Sequence, residues 1–325
     1  MKKIIKITKG IPLLGAIAFG IIDRGTDLLQ VRPTSICNLN CIYCSTDSGP
    51  KSKIHQADYV VDLDYLMEYV KDAVEYKETS VEVNIDSVGD PLTYKQIAEL
   101  IKKTSKIKNV RRISMQTNGT LLTPALLDKL EKAGLNQINL SVNTLDAKQG
   151  KYLSGTDCYD LKKVLAIAKK VAEPKIELLL APVWIPGIND KGIEEMITLS
   201  KELKCKIGIQ KYEIYKYSRK VPKIKAINYW KFYDKIEEWE KKYKVKLKLT
   251  AKDMKIKKAK RLPEKFKKGE KEYAEIKCLG WIKGQMIGVA RNRSITVNNC
   301  NSKIGDKVKV KILETKNNLY LAETI

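Results

Sequence analysis

Histidine is almost missing, with one residue, His55, in 325. Histidine is the side chain that ordinarily titrates near neutral pH, so a histidine-based catalytic triad or a Cys/His zinc site has only this residue to draw on. His55 lies in a polar stretch and is expected at the surface. Acidic residues are also in deficit, 38 Asp+Glu against 62 Lys+Arg, for a formal net charge of +24. Thermophile composition adds charges of both signs and does not produce such an excess. The usual partners of an excess this large are nucleic acid or an anionic membrane surface. The apolar run near the N-terminus, "IPLLGAIAFGII" at 11–22, holds about twelve residues, too few to span a bilayer. Its basic prelude resembles a signal peptide. Asp23, Arg24 and Asp27 follow it, however, with no small-residue cleavage site. The run reads as buried strand, continuing through "DRGT" into "DLLQVRP" as a hairpin with Gly25 in the turn. Cysteine is scarce and odd in number, seven residues, with no spacing that suggests a disulfide framework. A reducing cytoplasm is the expected compartment.

What is present is an ordinary soluble composition, 43% hydrophobic and 31% charged, long enough for one large domain and a small one. Strand-like runs at 27–33, 81–86, 110–116, 136–142, 176–184 and 207–214 alternate with helical patterns at 62–77, 93–104, 123–133, 160–172 and 190–203. The third helix has Thr123 as N-cap, Pro124 in its first turn and Gly134 past its end, with Leu126, Leu127 and Leu130 on one face. Such alternation predicts a parallel sheet with right-handed crossovers and ligands at the C-terminal strand ends. Residues 227–249 read as a long helix and a short strand. Residues 252–271 carry ten Lys/Arg against three Asp/Glu, with Pro263 and Gly269 as breakers, and read as a linker. Beyond 277 come short strands, "MIGVA", "SITVNN", "KVKVKIL" and "LYLAET", which suggest a small closed β-barrel. The expected organisation is α/β: a partial (β/α)6 TIM-like barrel over 1–250, a Lys-rich linker over 251–276, and a small C-terminal β-barrel over 277–325.

Cys37, Cys41 and Cys44 stand within eight positions. Closely spaced thiolates bind soft or borderline metals. A structural zinc needs four ligands, usually in paired knuckles, and no knuckle partner is present. Iron–sulfur clusters are held by Cys thiolates, normally four. With three, one iron of a [4Fe–4S] cluster lacks a protein ligand and can bind substrate. The cluster is the favoured reading, with zinc or a non-metal role as the alternatives.

The run Cys37-Asn-Leu-Asn-Cys41-Ile-Tyr-Cys44 resembles the signature of the radical S-adenosylmethionine (radical SAM) superfamily, including the aromatic Tyr43. The resemblance covers roughly residues 28–215. The loop Ser87-Val88-Gly89-Asp90-Pro91 is similar to the family's Gly-Gly-Glu-like loop for the methionine amino group of SAM, with Asp in place of Glu and Val in place of the first Gly. Thr117-Asn118-Gly119 resembles the loop near the adenosine. Ser141-Val142-Asn143 stands where the family places polar residues for the ribose. Val183 and Pro186–Gly187 resemble the segment that packs on the adenine. The resemblance implies a [4Fe–4S] cluster on Cys37, Cys41 and Cys44. It implies SAM contacts from Tyr43, Gly89, Asp90, Pro91, Asn118, Ser141, Asn143 and Val183. It also implies a low-potential electron donor and reductive cleavage of SAM to a 5′-deoxyadenosyl radical that abstracts hydrogen from the substrate. The protein's part is to orient the cofactor and exclude water.

"GQMIGVARNRSITVNNCNSKIGDKVKVKIL" resembles a TRAM domain, a small RNA-binding β-barrel, through Gly288, Arg291, Arg293 and the late "IGDKVKVKI". RNA, most plausibly tRNA, is the expected partner of a monomer that binds no membrane. Lys211, Arg219, Lys283, Arg291 and Arg293 are the candidate RNA contacts. Trp281 and Tyr320 are either base-stacking rings or barrel packing. Cys158, Cys205, Cys278 and Cys300 read as small buried hydrophobes, with a second cluster or a covalent thiol as the alternative. No Cys precedes Cys37, which argues against methylthiotransfer. A cobalamin-type Asp-x-His-x-x-Gly and a Cys-rich C-terminal extension are absent from the sequence. The expected activity is RNA modification by a transferase, methyltransferase-like enzyme. The rivals are a radical SAM enzyme acting on a peptide or small metabolite, and an RNA-binding iron–sulfur protein without SAM chemistry.

Overall fold

A computed structural model describes residues 2–172 and 175–325. The chain forms two compact units, one of Met1–Ile36, Lys53–Ile113 and Ile256–Ile325, the other of Cys37–Ser52 and Ser114–Lys255.

The first unit opens with β1 (Lys3–Ile7), β2 (Gly20–Asp23), β3 (Leu28–Arg32) and β4 (Ala57–Val61), then α1 (Leu63–Lys77), β5 (Val81–Ile85), α2 (Ile97–Thr104) and the first residues of β6 (Val110–Thr117). The expected hairpin is there: β2 and β3 pair antiparallel, and β3 pairs parallel with β5. The rest of the 11–22 run is not strand, yet Leu13, Ala16, Ala18 and Phe19 are buried. β1 and β4 form a separate parallel pair that sequence reading missed, because β1's lysines disguise its apolar residues. Two buried ion pairs fix the frame. Lys77 Nζ donates to Asp23 Oδ1 (2.6 Å) and Lys260 O (2.7 Å), both charged side chains being fully enclosed. Asp23 is further satisfied by Gly25 N and Leu262 N. Arg32 meets Asp86 through two parallel bonds of 2.9 and 3.0 Å, the bidentate geometry that suits guanidinium.

The second unit continues β6 and adds α3 (Pro124–Ala133), β7 (Gln137–Leu140), α4 (Ala147–Ser154), α5 (Leu161–Val171), β8 (Glu177–Leu180), β9 (Val183–Trp184), α6 (Asp190–Glu202), β10 (Lys206–Ile207), β11 (Gln210–Lys211) and α7 (Tyr229–Tyr243). β6, β7, β8 and β10 pair parallel in that order, and β9 pairs parallel with β11. The strands expected at 176–184 and 207–214 are therefore each split in two. Pro182, which has no N–H to donate, separates β8 from β9. The short strand expected at the end of 227–249 is not there; residues 244–249 are irregular. α7 is held to α6 by the Glu194 carboxylate, which accepts from Trp239 Nε1 (3.2 Å), Lys242 Nζ and Tyr243 OH. Lys242 first, then Tyr243, lowers Glu194 from 4.5 to about 2. A folded-state value below the unfolded one means the clasp is fully stabilising above about pH 4.5 and is lost as pH falls through about 2. Glu194→Gln should therefore lower the urea midpoint at neutral pH and converge on wild type at the acid end of that window. A constant offset across the window would refute the clasp.

The first unit closes with β12 (Lys271–Leu279), β13 (Met286–Ala290), β14 (Arg293–Asn298), β15 (Lys307–Glu314) and β16 (Leu321–Thr324), a closed barrel in the order β12-β13-β14-β16-β15. The barrel thus takes in residues assigned to the linker by composition. β12 alternates Ala274, Ile276 and Cys278 inward with Tyr273, Glu275 and Lys277 outward, and only Ile276 among these inward side chains is large, which keeps its apolar signal weak. Phe266, Ile295, Val297, Val310, Ile312 and Tyr320 fill the interior. Gly288 lies where a Cβ would stand 3.0 Å from Ala274 Cβ.

Candidate metal and cofactor site

Cys37, Cys41 and Cys44 lie on an irregular loop of the second unit, Cys37–Ser52, that takes its shape from outside itself. Asn40 N and Ile42 N donate to Ser154 O and Leu153 O at the end of α4, each at 3.0 Å. Gly155 permits this approach. It sits at φ +65°, and a Cβ there would stand 2.1 Å from Asn40 O. Cys44 N turns back onto Cys41 O (3.1 Å).

Arg219 grips the same loop from the segment after β11. Its Nε meets Asp47 Oδ1 (2.6 Å), Nη1 donates to Cys41 O (3.1 Å), and Nη2 donates to Asp47 O (3.0 Å) and Ser48 O. Its backbone N donates to Cys44 O (2.9 Å). The candidate RNA contact is therefore a brace for the cysteine loop, and its guanidinium is occupied there. Sequence reading missed this because Asp47 stands 172 positions away.

Cys44 Sγ receives Ser48 N at 3.3 Å and lies 3.3 Å from Thr46 Oγ1. Cys41 keeps some open surface, yet its surroundings desolvate it. Burial, with Cys44 adding, pushes its thiol up to about 12 against the opposing pull of Tyr43 and Arg219. A metal ligand thiol must lose its proton, so binding the metal has to overcome this. Three thiols with neutral polar neighbours and one arginine suit an iron–sulfur cluster. Among the described residues no three Cys, His, Asp or Glu side chains are grouped as around one metal ion. A cluster takes each thiolate on a different iron, so its ligands need not converge on one point.

Several expected SAM contacts in this unit are joined by hydrogen bonds. Asn143 Nδ2 donates to Tyr43 OH, and Val183 N donates to Asn143 Oδ1 (2.7 Å). Asn189, which the sequence did not single out, donates to Asn143 O (3.0 Å) and Val183 O (2.9 Å). Asn118 Nδ2 donates to Asn38 Oδ1 (3.0 Å), and Asn38 Nδ2 to Thr120 Oγ1 (2.8 Å), so the loop after β6 holds the residue next to Cys37. Ser141 Oγ accepts from Gln116 Nε2 (2.8 Å).

In the first unit, the Ser87–Pro91 loop folds against Ile36. Asp90 N donates to Ile36 O (2.8 Å), and a Cβ on Gly89 would stand 2.2 Å from that oxygen, so glycine is required. Asp90 is buried and its carboxylate caps the turn beginning at Pro91, accepting from Leu92 N (2.9 Å). That gives Asp90 a local structural task that the sequence reading did not assign.

The basic candidates divide. Lys211 is nearly enclosed, pairs with Glu213 (3.0 Å) and lies 4.8 Å from the Tyr229 ring centroid. Arg291 is paired with Glu270 and Glu272. Arg293 is corrected outright: it is buried, donating to Asn292 O and Pro263 O, both at 2.9 Å. Lys283 is exposed. Trp281 and Tyr320 are buried packing residues. His55 is also buried, against expectation, with its ring 4.1 Å from that of Trp281. What sequence reading did not pick out is an outward row on β15, Lys307, Lys309 and Lys311. Across the strand pair stands exposed Tyr273, with Lys309 Nζ 5.9 Å from its ring centroid. Cys278 and Cys300 are buried, Cys205 partly so, and Cys158 exposed. No helix among the described residues is long and apolar enough to cross a membrane.

Parallel strands with helical crossovers, a three-cysteine loop and a closed five-strand barrel define an iron–sulfur enzyme class with an appended nucleic-acid-type module. The model of the radical SAM superfamily matches residues 31–200 and that of the TRAM domain residues 265–325; the chain belongs to the radical SAM superfamily. Its cofactors are accordingly a [4Fe–4S] cluster and SAM. An uncharacterized protein of Methanocaldococcus jannaschii is 40% identical over all of this chain and 81% of its own length. A GTP 3′,8-cyclase of Clostridium botulinum is 32% identical over 55% of this chain and 54% of its own. The chain thus spans about half the length of that cyclase. Among solved structures, Streptococcus suis SuiB bound to SAM superposes with a TM-score of 0.51 at 20% identity, over 66% of this chain and 47% of that one. A radical SAM methyltransferase of Sphaerobacter thermophilus gives 0.50 at 16%, over 67% and 63%. These two likenesses concern the fold: a partial TIM barrel, here with a small β-barrel.

Proposed function

We propose that this radical SAM enzyme modifies RNA, and that its substrate is tRNA. Cys37, Cys41 and Cys44 hold the cluster, which supplies reductive cleavage of SAM. Tyr43, Asn143 and Val183, tied together and backed by Asn189, line the cofactor's side of the second unit. Asn118 and Ser141 stand at the ends of neighbouring parallel strands, where such folds bind ligands. Gly89 brings the backbone of its own loop against Ile36, next to Cys37, and Asp90 and Pro91 shape that loop. A low-potential electron donor supplies the reducing electron.

The observation that carries the RNA reading is the outer wall of the TRAM barrel. Lys307, Lys309 and Lys311 alternate outward along β15, and Lys271 and Tyr273 face them from β12. Lysines spaced by two strand residues neutralise successive phosphates, and an exposed ring accepts a base. Binding should weaken with salt by about 0.7 log units per log unit of salt for each phosphate engaged on single strands, and by about 0.9 on duplex. Lys309→Ala/Lys311→Ala in the full chain should flatten the slope for bulk tRNA by about the sum for two phosphates. An unchanged slope would detach the barrel wall from RNA.

The likeness to GTP 3′,8-cyclase supports a second reading, with a free purine nucleotide as substrate. The two separate on one measurement: anaerobic 5′-deoxyadenosine formation stimulated by tRNA, or by GTP. Mass spectrometry of tRNA nucleosides from cells with and without the gene then decides. A missing modified nucleoside is expected, and an unchanged profile would exclude the RNA reading.

A further inference from the structure

Exposed aromatic rings on this protein are concentrated in one stretch of the second unit. Tyr215, Tyr217, Tyr229, Trp230 and Tyr233 are all exposed, Trp230 to 81%. Residues 211–235 carry eight Lys/Arg against two Asp/Glu. The two ends of the stretch form one face, because Tyr229 OH donates to Glu213 Oε1 (2.8 Å) and Glu213 pairs with Lys211. Tyr229 and Tyr233, one helical turn apart, are stacked at 6.2 Å with 27° between planes. Lys220, Lys223, Lys225 and Lys231 are exposed and make no ion pair among the described residues.

We propose that this face is a second RNA-binding surface, distinct from the barrel wall, that takes an unpaired base on Trp230 while the free lysines engage the flanking phosphates. The proposal rests on the RNA reading above and adds the single-stranded character of the substrate segment. Three features favour this occupant. Trp230, 81% exposed, offers a π-face on which every base can stack. The lysines are interleaved with the rings, which matches a strand whose bases and phosphates alternate. The apolar face of α7, with Phe232, Ile236 and Trp239, is buried, so the helix lacks the continuous apolar stripe by which an amphipathic helix enters a bilayer.

The test uses the full-length protein with a labelled single-stranded RNA, a blunt duplex of the same sequence, and anionic vesicles. Trp230→Ala should weaken single-strand binding about fivefold or more, since each stacked base contributes at least that much. Trp230→Phe should restore most of it, and duplex binding should not change. Lys220→Ala/Lys223→Ala/Lys225→Ala should instead reduce the salt slope by about 0.7 for each phosphate that a removed lysine had neutralised. If wild type binds single strands and Trp230→Ala binds equally well, this surface is wrong and the RNA reading stands. If wild type binds no RNA, both fail. Vesicle binding that Trp230→Ala abolishes, with RNA binding untouched, would assign the face to a membrane.

Discussion

Cys41→Ala, purified and reconstituted anaerobically, should lose the spectroscopic signature of a [4Fe–4S] cluster and form no 5′-deoxyadenosine above background. The expectation follows from ligand count. With three protein thiolates the cluster has no spare ligand, and nothing in the sequence near Cys37 or Cys44 replaces the third. Cys41 is also the ligand whose carbonyl is engaged by both Cys44 N and Arg219. Burial raises this thiol to about 12, so cluster binding has to displace its proton. Removing the side chain lowers that proton barrier but leaves one iron without a partner. Cys158→Ala, on an exposed residue outside the three-cysteine motif, should retain cluster and turnover. A Cys41→Ala protein with wild-type iron content and the cluster's EPR signal would overturn the assignment.

Arg219→Ala should be the most damaging substitution that removes no cluster ligand. It takes the guanidinium away from the Asp47 carboxylate, whose side chain is 7% exposed and whose other oxygen accepts from Ser52 Oγ (3.0 Å). It also strips donors from the carbonyls of Cys41, Asp47 and Ser48. Breaking one side of such a pair costs about 3–5 kcal/mol. Arg219→Lys should recover only part, because an ammonium cannot reproduce a planar fork reaching four acceptors. Denaturant midpoint and iron per chain should fall together in the order wild type, Lys, Ala. An Ala variant that matches wild type in both would show that the loop holds itself.

Helices were legible wherever caps and periodicity agreed. Thr123 accepts from Leu126 N at 3.1 Å and Gly134 adopts φ +103°, as their residue types suggest. Strands were legible as apolar runs but not in their interruptions. α4 escaped notice because it is eight residues long with a glycine inside. β12 escaped because only Ile276 among its inward residues Ala274, Ile276 and Cys278 is large, while Glu275 and Lys277 stand outward between them. The cysteine loop was legible from spacing alone. Its supports were not: Arg219 and the Asn38–Asn118 tie act through partners that only folding brings near. Composition drew boundaries in chain order, whereas one compact unit contains both residues 1–36 and 256–325. Charge was legible as a total; which lysines are free and which arginines are spent on carboxylates required the structure.

That compact unit has a consequence for how the protein is made. Ser294 N donates to Leu14 O (2.8 Å), Ser294 Oγ donates to Pro12 O (2.6 Å) across 282 positions, and Tyr320 N donates to Gly15 O (2.9 Å). A ribosome adding about 5–20 residues per second leaves the Pro12–Phe19 segment without these partners for roughly 15–60 seconds. Its Pro12, Leu14 and Gly15 carbonyls wait without these donors, open to chaperones or to a neighbouring nascent chain, until the last strands arrive to engage them.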